Sequence, residues 1–196
     1  MRIDRVKKPE SSFLSMEKDA GILIETIAKN ERLKRLLYYN VPDALDQPDL
    51  TPEQSRKLFK DNIKMVPKLR IENEYLNYLI IRFKNFEPNG TNPQFRDNII
   101  AFDILVPFDH WQLKDYQLRP YKIAAELDSA LAARDYRLTG IGHLEFKGSA
   151  EVSFNNEYGG VCLQYKAIHG EEDKKPMPNP FDNERFLEDF EKMLNS

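Results

Sequence analysis

The stretch NIIAFDILVPF, residues 98–108, decides the fold because it is apolar on both of its alternating sides. One side carries Ile100, Phe102, Ile104 and Val106, and the other carries Ile99, Ala101 and Leu105. A strand with two apolar faces is typical of the interior of a sheet, where both faces are covered. The sequence therefore predicts that this strand is central.

Asp103 interrupts the apolar run of the same strand. An isolated carboxylate costs free energy in an apolar environment unless a cation or hydrogen-bond donor accompanies it. We expect a structural ion pair with Arg96 or Arg119, since few such residues are catalytic.

Two helices are predicted before the sheet. The first runs from a candidate N-cap at Ser15 to about Tyr39. The second begins at Thr51, where Pro52 and Gln54 complete the pattern of a capping box, and it ends before Pro67. The next strand is predicted in YLNYLIIRFKNF (residues 75–86), with PKLRIE (residues 67–72) as a candidate hairpin partner.

A further helix is predicted in IAAELDSALAARDY, residues 123–136, and its outer side is unusual. Helical spacing places Ala125, Ser129 and Ala132 opposite the apolar side, where Lys and Glu are common. Two interpretations stay open. Alanine is the best helix former and needs no partner in water, whereas small side chains also allow another chain to approach closely.

Three short strands are predicted after this helix, in HLEFKG (143–148), AEVSFNN (150–156) and GGVCLQYKAIHG (159–170). Their predicted inner face consists of Leu144, Phe146, Val152, Phe154, Leu163, Tyr165 and Ala167. A Pro-rich linker follows, and a final helix begins near Asp182. Its apolar stripe is predicted to dock on a partner and consists of Phe186, Leu187, Phe190, Met193 and Leu194.

The order of these elements predicts an α+β fold: a mainly antiparallel sheet with a helix packed on it, two N-terminal helices and extended terminal arms. Residues 1–15 are predicted as an N-terminal arm, and residues 16–169 as one domain, helical over 16–66 and sheet-forming over 67–169. Residues 170–196 are predicted as the linker and the C-terminal amphipathic helix.

Charge and cysteine content exclude several classes of protein. The chain has 29 basic and 32 acidic residues, and no segment is a basic cluster of the kind that holds duplex DNA. The single cysteine, Cys162, cannot form an internal disulfide, which fits a reducing cytosol. We expect no signal peptide, no membrane span, no metal and no cofactor.

An enzyme interpretation depends on Glu145 and Lys147, with Asp128 or Asp135 upstream, because one nuclease superfamily places its metal-binding carboxylates and lysine in this way. The same acid-x-Lys spacing recurs in the linker at residues 172–174, so the pattern arises by chance in so charged a chain. The three histidines, His110, His143 and His169, have no nucleophile nearby in sequence. We therefore expect a non-enzymatic protein with no catalytic residues, and a metal-dependent nuclease stays as an alternative.

The order of four segments resembles the tail-terminator and neck proteins of long-tailed bacteriophages. These segments are FDILVPFDHWQL (102–113), RPYKIAAELDSAL (119–131), GIGHLEFKGS (140–149) and GGVCLQYKAIH (159–169). The resemblance covers about residues 70–169, roughly half of the chain, and it consists of a pattern of elements.

The resemblance implies a structural virion subunit that forms a ring, commonly a hexamer, caps the tail tube and joins it to the head connector. Genomic DNA would only pass through the lumen of such a ring, and no membrane or cofactor takes part. The protein would be assembled in the host cytoplasm and found in the tail or neck of the virion. In this interpretation Ala125, Ser129 and Ala132 form the subunit interface, since a repeated contact around an axis closes into a ring. Another capsid or connector accessory protein is the alternative within the same particle.

Overall fold

The computed structural model of the chain describes residues 12–67, 75–91, 96–132 and 144–169. Its helices are α1 (Ser12–Lys29), α2 (Glu31–Tyr38), α3 (Pro52–Asp61) and α4 (Arg119–Leu131). Its strands are β1 (Ile63–Lys64), β2 (Tyr78–Pro88), β3 (Arg96–Pro107), β4 (Glu145–Ser153) and β5 (Tyr158–His169). Two short 3-10 turns, Phe108–His110 and Lys114–Tyr116, lie between β3 and α4.

The five strands form one sheet in the order β1-β2-β3-β5-β4, so the strand predicted as central is in the middle. β3 pairs antiparallel with both β2 and β5, and β4 pairs antiparallel with β5. Only the short β1 is parallel to its neighbour, β2. The prediction of an α+β fold with a mainly antiparallel sheet is confirmed.

Both faces of β3 are buried, as its two apolar sides require. Phe102 and Ile104 point toward the helices and belong to the main core, which all four helices share. On the opposite face, Leu105 joins Tyr78 and Tyr158 in a second, smaller cluster. The helices therefore cover one face of the sheet, in a two-layer arrangement.

α4 lies on the sheet through the side that the sequence assigned to the core. Ile123, Leu127 and Leu131 are almost fully buried, and they belong to the main core together with residues of β3 and β5. Ser129 and Ala132 are exposed on the other side. The helical spacing therefore predicted both sides of α4 correctly.

The prediction of a single helix from Ser15 to Tyr39 was wrong, because the chain forms two helices that meet at Asn30. Asn30 has extended backbone angles (φ −96°, ψ 93°), and its side chain accepts a hydrogen bond from the backbone N–H of Leu33 at 3.0 Å. Such a side-chain cap starts a new helix. α1 begins at Ser12, inside the segment predicted as an arm, so three helices rather than two precede the sheet.

The capping box at the start of α3 is confirmed. The N–H of Gln54 donates to Thr51 Oγ1 at 3.3 Å, and the N–H of Thr51 donates to Gln54 Oε1 at 2.9 Å. The helix ends earlier than predicted, at Asp61, because the next residues pair with β2 as strand β1. Most of the predicted hairpin partner, residues 68–72, lies outside the described residues.

The last part of the sheet has two strands where three were predicted. HLEFKG and AEVSFNN contribute to one strand, β4, which is continuous through a register shift between Phe146 and Gly148. Gly148 has φ 151°, a conformation that favours glycine. The bulge lets the strand bend without ending. From the sequence, a turn between two strands was predicted at this position.

The predicted inner face of these strands is correct for β5 and partly wrong for β4. Tyr165 and Ala167 are buried in the main core. Phe146, on the edge strand β4, contacts the ring of Tyr165 with centroids 5.4 Å apart but is still 52% exposed. Phe154 follows the end of β4 and is 42% exposed. Val152 packs on the smaller cluster, on the opposite face of the sheet.

Within the described parts of the chain, no helix has the length and apolarity needed to cross a membrane. The predicted C-terminal helix and the first 11 residues of the predicted arm lie outside the described residues.

Candidate interaction surfaces

The first candidate surface is the small-residue face of α4, formed by Ala125, Ser129 and Ala132. All three residues are exposed in the single chain. They stand opposite Ile123 and Leu127, which fix the rotation of the helix on the sheet. The structure therefore places the three predicted interface residues together on an accessible face.

The polar neighbours of this face already have partners within the chain. Glu126 accepts a hydrogen bond from Arg32 Nε at 2.8 Å, and its backbone oxygen accepts one from the side chain of Asn30 at 3.3 Å. Asp128 accepts a hydrogen bond from the hydroxyl of Tyr165 at 2.6 Å. Because these contacts hold α4 to α2, to its N-cap residue and to β5, the small-residue face is presented on a fixed helix.

The second candidate surface was not predicted from the sequence, and we call it the aromatic end. Among the described residues, nine large hydrophobic side chains are exposed, and seven of them lie on segments around one end of the sheet. These seven are Val41, Tyr75, Phe108, Tyr116, Leu118, Tyr121 and Phe154. They lie where β3 ends and where β2, β5 and α4 begin.

Hydrogen bonds join the segments that carry the aromatic end. The N–H of Phe108 donates to the oxygen of Glu157 at 2.9 Å, which links the loop after β3 to the β4–β5 hairpin. The N–H of Lys114 donates to the oxygen of Pro42 at 2.8 Å, and Asn40 donates to the oxygen of Tyr75 at 2.6 Å. The segments that carry the seven exposed side chains are therefore joined to one another at this end of the sheet.

Tyr116, at the tip of the loop after β3, is the most exposed residue of the aromatic end, at 88%. Asp115 and Tyr116 both have φ 58°, a left-handed conformation that costs free energy for residues other than glycine. The loop is nevertheless closed beneath them, since the N–H of Leu113 donates to the oxygen of Gln117 at 2.7 Å. The strained backbone thus holds a tyrosine outward, away from the core.

Arg119, the first residue of α4, supports the aromatic end from below. Its side chain is fully buried and donates to four backbone oxygens: His110 at 2.7 Å, Leu36 at 2.8 Å, Tyr39 at 2.7 Å and Val41 at 2.7 Å. Burial lowers the pKa of Arg119 to about 10, so the guanidinium stays charged at neutral pH. The carbonyls at the end of α2 carry the negative end of the helix dipole, which suits this cation.

The aromatic end is acidic. Its segments, residues 39–50, 75–77, 108–121 and 154–157, contain six exposed carboxylates, whereas their only cations are Lys114 and the buried Arg119. The carboxylates are Asp43, Asp46, Asp49, Asp109, Asp115 and Glu157. A hydrogen bond from its ammonium to Asp46, followed by the charges of Asp46 and Asp115, raises the pKa of Lys114. An apolar patch with an acidic rim favours partners that are both apolar and basic.

The residues of the nuclease alternative do not come together in the described part of the chain. Lys147 and Glu145 form an ion pair with each other at 2.6 Å on the exposed side of β4. Asp128 is bound to Tyr165, and Asp135 lies outside the described residues. Within the described ranges, no group of three or more His, Cys, Asp and Glu side chains could hold a metal ion.

Asp103 has a structural partner, as predicted, but the predicted identity of that partner was wrong. The carboxylate pairs with Arg82 of the neighbouring strand β2 rather than with Arg96 or Arg119. Arg82 stands two residues beyond Ile80, which is directly opposite Asp103 in the sheet. The cross-strand register decides this pair, and the register is not readable from the sequence alone.

The histidines and the cysteine do not form a catalytic group in the described residues. Burial and the charge of Arg119 lower the pKa of His110, so its ring is neutral at neutral pH. Next to His110, the ring of Trp111 contacts the ring of Phe108, and their centroids are 5.4 Å apart. Burial raises the pKa of the Cys162 thiol, which makes it a poor nucleophile. His143 lies outside the described residues, and His169 is the last residue of β5.

The predicted partner-docking residues, Phe186, Leu187, Phe190, Met193 and Leu194, lie outside the described residues. The sequence nevertheless contained a signal for the aromatic end. One segment, residues 108–121 (FDHWQLKDYQLRPY), contains four aromatic residues. Its apolar residues show neither the alternation of a strand nor the spacing of a helix. Aromatic residues without a core periodicity are typical of exposed interaction sites.

Over the residues that the structure describes, the fold defines an α+β protein with four helices on one face of a five-stranded, mainly antiparallel sheet. A family model described as YomW matches residues 30–167, which is more than half of the chain, so the protein belongs to the YomW family. No curated protein matches the chain. The matched region contains the central strand, α4 and the whole aromatic end.

Proposed function

We propose that this protein is a structural virion subunit, namely a ring-forming tail terminator or neck protein that caps the tail tube and joins it to the head connector. YomW is a phage-type name, of the kind given to Bacillus SPbeta-like proteins, which supports a phage origin. The order of a central strand, a helix and a closing antiparallel pair also fits the resemblance described above.

The observation that carries the proposal is the exposed small-residue face of α4. Ala125, Ser129 and Ala132 leave a flat strip between polar residues that are bound within the chain. A flat strip on a fixed helix can accept a neighbouring copy at close range without displacing charged side chains. If the contact is heterologous and repeats around an axis, it closes into a ring.

A neck component also needs a contact with the layer above or below it, and the aromatic end is a candidate for that contact. It lies at the start of α4, whereas Ala132 lies at its end. A helix rises about 1.5 Å per residue, so Ala132 lies about 16 Å along the axis from Tyr121 of the aromatic end, although Ala125 is only about one turn away. One surface can then serve the ring while the other serves an adjacent layer, such as the tail tube or the connector.

Substitution on the α4 face tests the ring. Ala132→Glu and Ala125→Glu are expected to leave a folded chain and to abolish assembly, because each puts a charged, bulky side chain into the proposed contact. Mass photometry of the purified protein, alone and with virion components, measures the stoichiometry. Ala150→Glu on β4 is the matched control, since Ala150 is exposed and lies away from α4.

Ala132→Lys separates assembly from helix stability. A glutamate at the end of α4 opposes the helix dipole by about 0.3–1 kcal/mol, whereas a lysine there is favourable. If the contact is the cause, both variants lose assembly to a similar degree while their urea midpoints differ. Unchanged assembly in both variants would refute the proposed interface.

A further inference from the structure

We propose that the aromatic end binds the basic N-terminal segment of a second copy of this chain, residues 1–11. The inference goes beyond the ring proposal, because it names a different surface and a different occupant. It depends on the composition of that surface and on the sequence of the segment, and it does not require the α4 contact.

The exposed apolar side chains of the aromatic end indicate an interaction site. Seven large hydrophobic side chains are exposed at the aromatic end, and one of them, Tyr116, is held outward by two consecutive residues in the left-handed conformation. Single exposed hydrophobic residues are ordinary, but a connected group of them marks an interaction site. A tyrosine held outward above a hydrogen-bonded loop offers a fixed aromatic contact to a partner segment.

The charge of the aromatic end favours a basic binding partner. The aromatic end has six exposed carboxylates, of which Asp46 pairs with Lys114 at 3.3 Å and Asp49 with Arg35 at 3.7 Å. The other four, Asp43, Asp109, Asp115 and Glu157, give it an excess of negative charge. The segment MRIDRVKKPES (residues 1–11) has four basic residues against two acidic ones, and it carries apolar side chains at Ile3 and Val6. It therefore offers the basic and apolar groups that the surface lacks.

The other terminal segment is excluded by the same argument. Residues 171–196 have four basic and eight acidic residues, so like charges would meet at the aromatic end. Like-charge juxtaposition opposes association. Of the two segments beyond the described domain, only the N-terminal one is complementary to this surface.

Charge reversal in the full-length chain tests the inference. Arg2→Glu/Arg5→Glu/Lys7→Glu is expected to weaken self-association at least about tenfold, and so is Asp43→Lys/Asp109→Lys/Asp115→Lys on the surface. An equimolar mixture of the two variants should recover association, because each supplies the partner that the other can bind. The matched control is Arg56→Glu/Lys57→Glu/Lys60→Glu, which reverses three exposed charges on α3.

Trp111 reports where the segment binds. It is the single tryptophan of the chain and contacts Phe108 at the aromatic end, so its fluorescence emission should shift when the two reversed variants are mixed. Sedimentation velocity gives the association, and thermal unfolding of each variant confirms that the domain stays folded. Tyr116→Ser should weaken association without any change in net charge.

Three results would overturn the inference. They are a wild-type chain that stays monomeric at all concentrations, reversal of residues 2, 5 and 7 that leaves association unchanged, and recovery in the mixture without a change in Trp111 emission. A monomeric wild-type chain would refute the ring proposal as well, so the α4 variant distinguishes the two. Ala132→Glu alters the far end of α4, so it should leave the Trp111 response intact even if the ring proposal fails.

Discussion

At the scale of single residues, Arg119 connects the helical layer to the loop that carries the aromatic end. Its guanidinium binds the last carbonyls of α2 and the oxygen of His110, so one side chain spans three segments. Asn77 donates to the same carbonyl of Leu36 at 3.3 Å, and Asn62 donates to that of Leu37 at 3.1 Å. Polar side chains from the sheet region thus provide hydrogen-bond donors to the last carbonyl groups of a buried helix.

Arg119→Ala is expected to destabilise the protein by about 3–5 kcal/mol, because it leaves buried carbonyls without donors. Urea unfolding measured at pH 7 gives the change. Arg32→Ala is the matched control. Arg32 forms an ion pair with Glu126 but its side chain is half exposed, so the expected loss is at most about 1 kcal/mol. Equal losses in the two variants would contradict the role given to Arg119.

Residue-level predictions from the sequence succeeded where a local rule decides the outcome. The capping box of Thr51 and Gln54 needs only neighbours in the chain, and it was predicted correctly. The partner of Asp103 depends on the pairing of two strands, and the prediction of Arg96 or Arg119 was wrong. The aromatic end escaped notice for the same reason, since its residues come from four separate segments.

At the scale of elements, the pairing of β3 with β5 depends on one glycine. Gly160 lies opposite Leu105, and a Cβ atom built on it would be 1.7 Å from the backbone oxygen of Ile104. Backbone cannot yield as a flexible side chain can, so the two strands approach closely only because position 160 has no side chain.

Gly160→Ala is therefore expected to destabilise the protein by more than about 3 kcal/mol or to prevent folding, because β5 must separate from the central strand. Gly90→Ala is the control, since a Cβ there would meet no atom within 4 Å. The control should change stability by less than about 1 kcal/mol. Thermal and urea unfolding of both variants, or their soluble yields, measure the difference. A normal urea midpoint for Gly160→Ala would show that the strands can shift apart at little cost.

The type of each described element was largely predictable from hydrophobic spacing, and the boundaries were not. Period-two alternation identified β2 and β3, and helical spacing identified α4 with its buried side. The break at Asn30 was missed because apolar residues continue at helical spacing on both sides of it. The continuity of β4 was missed because a bulge at Gly148 and a turn have the same glycine signature.

At the scale of the whole molecule, the described domain presents two surfaces along α4, the aromatic end at its start and the small-residue face from its middle to its end. The chain continues beyond the domain in two segments of opposite charge. The N-terminal segment is basic and suits the acidic aromatic end. The C-terminal segment is acidic and carries the apolar stripe predicted to dock on a partner. Charge therefore gives the two segments different partners, which orients a subunit within an assembly.

Deletion of residues 180–196 is expected to leave the domain folded and to weaken its attachment to an adjacent layer at least about tenfold. The physical reason is the loss of five large apolar side chains, since burial of each contributes about 1.5–3 kcal/mol before the costs of ordering. Co-sedimentation with purified tail tubes and with connectors measures attachment, and urea unfolding measures the domain. Phe186→Ser/Phe190→Ser in the full-length chain should reproduce the loss, whereas Glu184→Gln/Glu191→Gln, in the same segment but outside the apolar stripe, should not. A fall in the urea midpoint on deletion would instead assign the segment to the protein's own core.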